Sequence, residues 1–222
     1  MMEELEIDGC TIEWLGHASF RVRCAGKVVY IDPYVLDVDP PGANLVIATH
    51  DHFDHCHAEN IGRISAPGTT VVTTPKAASD LSGDVRTLRP GDRIEVDGVS
   101  IAAVHAYNVN KFRAPGQPFH PKGDGMGVVV EIGGLRIYHS GDTDCIDEME
   151  SLAAEKIDVA LLPIGGTYTM DAAEAAVAVR RIRPRMVVPM HYGTLKETRG
   201  DLDLFTQQVG DASDVVVLSQ KA

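Results

Sequence analysis

The chain has 222 residues, 44% hydrophobic and 23% charged, the balance of a soluble globular protein and enough length to bury a substantial core in one domain spanning residues 1–222. Its 32 acidic against 20 basic residues give a net charge of −12, which disfavours wrapping nucleic acid by bulk electrostatics. No apolar run reaches the roughly 18 residues of a membrane span, and the acidic start M-M-E-E-L-E is unlike a signal peptide, so a cytoplasmic protein without a membrane partner is expected.

In chain order, Cys10–Leu15, Ser19–Cys24 and Val28–Ile31 read as three short strands, the last two joined at Ala25-Gly26. Ile31-Asp32-Pro33 ends the third, and the Pro-rich segment Val38–Gly42 leads into the apolar strand Leu45–Ala48. His57–Ile64 suggests a short helix, with His57 as its solvated start, then a strand at Thr70–Thr74 and a helical stretch at Lys76–Leu81. Ile94–Val96 and Val99–Val104 read as a hairpin through Asp97-Gly98. Residues 105–126 break the pattern with scattered prolines and glycines, and a connection of that length is usually functional or disordered. Strands resume at Gly127–Ile132, Leu135–His139 and Ile157–Leu162. Asp171–Ile182 is the clearest helix, because Asp171 and Glu174 have capping-box spacing and Arg183-Pro184 stops it. A strand at Met186–Met190, a helix at Leu202–Val209 and a strand at Val215–Leu218 complete the order, which fits two mixed sheets between helical layers. Cys10, Cys24, Cys56 and Cys145 form no C-x-x-C pair and read as reduced thiols.

The chemistry concentrates at Thr49–His57, T-H-D-H-F-D-H-C-H, where four histidines and two aspartates fall within nine residues directly after an apolar strand. His50 and His52 share one side of an extended chain, while Asp54 and His55 follow where the chain turns and can approach the same point from elsewhere. Imidazoles and carboxylates suit zinc, manganese and iron. Cys56 is a less favoured ligand. Further donors follow other strands: Asp142 in G-D-T, where the preceding glycine permits close approach, and His191 in P-M-H-Y.

Taken in order, T-H-D-H-F-D-H, a later histidine, G-D-T and a late histidine resemble the metallo-β-lactamase-fold hydrolases. W-L-G-H-A-S-F, I-D-P, P-I-G-G-T-Y-T-M and P-M-H-Y look like the ascorbate-6-phosphate-lactonase-like branch, and the resemblance runs from about Thr11 to Thr194. It implies an α/β protein, a four-layer αβ/βα sandwich of two mixed β-sheets, with two divalent metal ions, Zn²⁺ first and Mn²⁺ or Fe²⁺ as alternatives. It places His50 and His52 on one metal, Asp54, His55 and His191 on the other, and Asp142 between them. His120 in F-H-P-K, close to the strand Gly127–Ile132, is favoured as the remaining ligand of the first metal, with His105 as the alternative. His139 reads as structural. Asp32 is expected to orient the His50–His55 loop, as metal-ligating histidines require. His17 is a candidate proton donor to a leaving group.

The expected activity is hydrolysis of a small, anionic ester, lactone or phosphoester by a hydroxide between metals about 3.5–4 Å apart, with Asp54 aligning the nucleophile. No Gly-x-Ser-x-Gly elbow points to a serine nucleophile. A phosphodiesterase or nuclease-like enzyme, or a non-hydrolytic diiron redox or metal-sensing protein, is the alternative; the acidic balance disfavours a nucleic-acid substrate. Lys111, Arg113, Lys122, Lys196 and Arg199 are candidates to bind an anionic substrate group. Nothing in the sequence marks an oligomeric interface.

Overall fold

The computed structural model describes residues 1–221; Ala222, the last residue of the domain expected from the sequence, lies outside the described residues. The first seven strands, β1 (Leu5–Ile7), β2 (Cys10–Gly16), β3 (Ser19–Cys24), β4 (Lys27–Ile31), β5 (Leu45–Ile47), β6 (Thr70–Thr73) and β7 (Asp84–Thr87), form one sheet in sequence order. β1 to β4 pair antiparallel and β4 to β7 parallel. β8 (Arg93–Val96) and β9 (Val99–Ala106) start the second sheet, and β10 (Phe112–Ala114) and β11 (Gln117–Pro118) form a separate ribbon. The second sheet continues with β12 (Gly125–Ile132), β13 (Leu135–His139), β14 (Val159–Pro163), β15 (Met186–Met190) and β16 (Asp214–Val215). Here too an antiparallel set, β8, β9, β12 and β13, gives way to parallel pairing from β13 to β16. The two halves thus repeat one topology although no internal repeat is visible in the residues.

Period-2 alternation makes the layers. On β5, Leu45 and Ile47 enter a core shared with Val128 and Val130 of β12, whereas Val46 turns outward onto α1 (Ala58–Ile64) through Ile61 and Ile64. On β14, Val159 and Leu161 join the shared core, and Ala160 and Leu162 pack outward with α2 (Ala172–Ile182) and α3 (Leu202–Val209). Both sheets are therefore buried on two faces, which is why their central strands read as continuous apolar runs. The result is the four-layer αβ/βα sandwich.

Local chemistry sets the helix ends. Asp171 accepts from the Glu174 amide at 2.8 Å while Glu174 accepts from the Asp171 amide at 2.9 Å, a complete capping box on α2. His57 caps α1 through Nδ1, which accepts from the Asn60 amide. Two expectations need correction. Lys76–Leu81 holds only a 3₁₀ turn at Ala77–Asp80, and Val215–Leu218 pairs only at Asp214–Val215 and through a bridge from Leu218 to Met2. Cys10 and Cys24, expected as separate thiols, are joined as a disulfide: the β2–β3 register sets them opposite one another, with Cα atoms 4.4 Å apart. No described helix is long and apolar enough to cross a membrane.

Candidate metal centre

The chain leaves β4 at Asp32, whose φ of +49° is a left-handed conformation that aspartate tolerates better than most residues. Its carboxylate is fully buried and accepts three hydrogen bonds: from the Thr49 amide at 2.7 Å, from Thr49 Oγ1 at 2.7 Å and from His55 Nδ1 at 2.7 Å. These bonds fix protons. His55 must carry hydrogen on Nδ1, which turns its Nε2 toward the site. Thr49 has given its one hydroxyl proton to Asp32, so at 3.0 Å it accepts from His50 Nδ1, and His50 likewise presents Nε2. One carboxylate thereby orients two histidines.

A second support lies under residues 105–126. His120 Nδ1 donates to Asn108 Oδ1 at 2.9 Å, which also accepts from the His120 amide at 2.7 Å. The Asn108 amide is held the right way round because its Nδ2 donates to Asp144 Oδ1 and the Tyr168 carbonyl, each at 2.9 Å. His120 Nε2 is thus turned to the site. His105 takes no part; it lines a separate cavity of about 220 Å³ with Tyr138, Glu148 and Met149. The path of the segment explains the choice: Asn108 ties its amide to the His120 carbonyl and pins that end of the loop.

Asp142 follows Gly141, which has φ of +60° and no room for a side chain: a Cβ there would sit 2.7 Å from the Met126 carbonyl oxygen. His191 ends β15 at φ +54°, with its amide donating to the His17 carbonyl at 2.8 Å. His17, also left-handed, packs against His191 with ring centroids 3.8 Å apart and the ring planes tilted by 41°, and its Nε2 lies 3.0 Å from Asp54 Oδ2.

Donor atoms gather in three overlapping groups: His50, His52 and His120; His17, Asp54, His55 and His191; and His50, His55 and Asp142. Asp142 Oδ2 is 3.1 Å from His120 Nε2 and 3.3 Å from His191 Nε2, and its Oδ1 is 3.3 Å from His55 Nε2. His50 Nε2, His55 Nε2, His191 Nε2 and Asp142 Oδ1 are buried without a hydrogen-bond partner. Buried polar atoms are almost always paired, so several orphans converging on one point fit a bound cation. The electrostatics agree. Burial alone would raise Asp142, but His191, His55 and His120 outweigh it and hold its carboxyl well below the usual range. Burial would depress His55, but Asp142 and Asp32 hold it well above the ordinary histidine value. Burial pushes His50 well down.

The structure therefore brings His50, His52, Asp54, His55, His120, Asp142, His191 and His17 together. It leaves His57 at the α1 cap, Cys56 outside every donor group, and His139 as a packing residue whose Nε2 donates to the Ala18 carbonyl at 2.9 Å while Nδ1 accepts from the Gly141 amide. Asn108 and Asp144 were not foreseen. Their only sequence trace is a polar residue just past a strand and a second aspartate in G-D-T-D.

Residues 11–191 match the family described as the Beta-lactamase superfamily domain. The chain belongs to the metallo-β-lactamase superfamily. A UPF0173 metal-dependent hydrolase from Pyrococcus horikoshii is 38% identical over 223 residues, covering 93% of this chain and 95% of that protein. Igni18, a metallo hydrolase from the archaeon Ignicoccus hospitalis, superposes with a TM-score of 0.78 at 29% identity over 94% of each chain. CmlA, a diiron β-hydroxylase from Streptomyces venezuelae, has a TM-score of 0.71 over 98% of this chain and 53% of its own, but at 15% identity the likeness is one of fold alone. The chain is a metal-dependent hydrolase of this superfamily, and its His/Asp groups are ones that could hold a metal ion.

Proposed function

We propose that the chain is a binuclear hydrolase of a small-molecule substrate, with two divalent ions held side by side. Zinc suits the donor set best, and manganese or iron would also fit it. His50, His52 and His120 would hold one ion, Asp54, His55 and His191 the other, and Asp142 both. One observation carries this reading: Asp142 Oδ2 lies 3.1 Å from His120 Nε2 and 3.3 Å from His191 Nε2, and its Oδ1 lies 3.3 Å from His55 Nε2, so one carboxylate reaches histidines of both proposed sets. Such ions would lower the pKa of coordinated water and polarise the oxygen of the scissile bond.

The protein's share is orientation. Asp54 lines the cleft, and burial would raise its pKa, but the His17 hydrogen bond and the charges of His55 and His17 together outweigh burial and bring it down to about 2. Burial meanwhile lowers His17. A neutral imidazole therefore donates its Nε2 proton to an ionised carboxylate, fixing Asp54 to align the attacking water. His17 is fully buried, bonded to Asp54 and packed against His191. From there it acts through Asp54 and not as a direct donor to a leaving group.

Elemental analysis of purified protein, with hydrolysis of p-nitrophenyl esters, tests the reading. Two ions per chain are expected, with about one left in Asp142→Asn and activity lost with it. One ion per chain in saturated wild type would overturn the binuclear assignment, and bound iron without ester hydrolysis would favour the redox alternative.

A further inference from the structure

We infer that the substrate is an amphipathic monoanion: an aryl or branched-alkyl group lies on one side of the metal centre, and one carboxylate reaches Arg113 on the other. The inference deepens the hydrolase reading and rests on it only for the position of the scissile bond.

Two cavities, of about 620 and 520 Å³, open on either side of His52, His120 and Asp142, which line both. They are arms of one cleft that meets over the donor cluster. The second arm is apolar, with Phe53, Phe119, Tyr168 and Leu195 on its walls. Phe53 is 67% exposed although it sits between two residues of the histidine motif. A large aromatic left in water beside a polar centre is what a ligand's apolar group would cover.

The first arm differs in charge. Of the cations expected to receive an anion, Lys111 is held by Glu174 at 2.7 Å and Lys122 by Glu148 at 2.6 Å. Lys76, which lines this arm, is shared between Asp51 at 3.2 Å and Asp124 at 3.1 Å. Arg113 also lines it and pairs with no carboxylate among the described residues. Its guanidinium stacks 5.6 Å above the Phe119 ring and gives one hydrogen bond, at 3.1 Å, to the Phe119 carbonyl. The remaining N–H groups are free in a fork suited to a carboxylate, and the contact with Phe119 holds that fork at the wall of the first arm.

The charge count limits the ligand. Lys196 and Arg199 line neither arm, so apart from the proposed metal ions Arg113 is the one cation lining the cleft without a carboxylate partner among the described residues, which suits a single carboxylate there. A phosphorylated polyol would bring two charges to one arginine and set hydroxyls against Phe53 and Leu195, where they would lose water without gaining partners.

Isothermal titration of metal-loaded protein with phenylbutyrate, its neutral alcohol phenylbutanol and phosphogluconate tests this without turnover. Phenylbutyrate should bind one site at least about tenfold more tightly than phosphogluconate, and Arg113→Gln should weaken it about tenfold while sparing phenylbutanol. Leu195→Ser should weaken phenylbutyrate and phenylbutanol alike, by about three- to fivefold. Arg113 is exposed on the short ribbon, so its replacement leaves the core untouched. Tighter binding of phosphogluconate, no binding of phenylbutyrate, or an Arg113→Gln effect equal on acid and alcohol would overturn the inference. Because no bond is cleaved, a failure here is separate from a failure of the hydrolase reading, which metal content and ester turnover report.

Discussion

Asn108 Oδ1 accepts both the side-chain Nδ1 proton of His120, at 2.9 Å, and the His120 backbone proton, at 2.7 Å. One amide oxygen therefore sets the ring orientation and the tautomer of the histidine that completes the His50–His52 group. Outer partners of this kind are commonly worth about 10–100-fold in metal affinity. Asn108→Leu, of similar size but without the acceptor, should weaken one of the two proposed ions by about that factor and leave the other unchanged. Competition with a chelator, read as two separate affinities, checks it. Unchanged affinity for both ions would show that the Asp144–Asn108–His120 chain is only packing.

Asp32 makes a harsher case, because three donors converge on its two oxygens. Asparagine would turn an NH₂ toward two of these donors or toward the third, and either way a buried donor loses its acceptor. Each such loss costs about 1–3 kcal/mol, more where the acceptor is charged. Asp32→Asn should therefore destabilise the metal-free protein by about 2–4 kcal/mol in urea and also reduce metal content, since His55 and His50 both take their orientation from this carboxylate. A variant as stable and as metal-rich as the wild type would refute the orienting role.

What the residues disclosed depended on how local the signal was. Ser19–Cys24, Leu135–His139, Met186–Met190 and Leu202–Val209 have the bounds expected from apolar periodicity and turn residues. β1 and β7 went unseen because Leu5–Ile7 and Asp84–Thr87 are short and charged, and their strand state comes from pairing with β2 and β6. The histidine motif announced itself by density, as did the helix cap at Asp171. The choice between His120 and His105 could not be made by spacing alone, since it turns on the fold-back that joins Asn108 to His120. The same holds for Lys111 and Lys122: their partners Glu174 and Glu148 lie far along the chain, so only the fold reveals that both charges are already spent.

Acid stability should report a buried ion pair remote from the metal centre. Glu13 is fully buried and takes two hydrogen bonds from Arg21, at 2.6 and 2.8 Å, with Lys221 on the same carboxylate. Burial alone would raise its pKa, but these cations outweigh burial and lower it from 4.5 to about 2. A depressed carboxyl stabilises the fold fully above its unfolded value and loses that contribution as pH falls toward the folded one. The window therefore runs from pH 4.5 down to about 2, and the contribution is about 3 kcal/mol. Glu13→Gln should be less stable than wild type at neutral pH, with the gap narrowing across that window. A constant gap in parallel denaturant titrations would place the shift elsewhere.

Gly141 offers the most local test of how backbone and site are joined. A Cβ at this residue would meet the Met126 carbonyl oxygen at 2.7 Å and Thr49 Cβ at 3.2 Å. Met126 belongs to β12, and its amide already donates to the Thr49 carbonyl at 3.0 Å, so the contact pins the histidine loop to the second sheet. Backbone carbonyls cannot step aside as a flexible side chain could. The positive φ adds a further penalty for any residue with a Cβ. Gly141→Ala should therefore push the Thr49–His55 loop and Asp142 apart, costing about 1–3 kcal/mol of stability and weakening both ions together. That joint loss separates it from Asn108→Leu, which should affect one ion alone. If Gly141→Ala bound two ions with wild-type affinity, the close approach of the two sheets at this point would not be what positions Asp142 for the bridging role proposed for it.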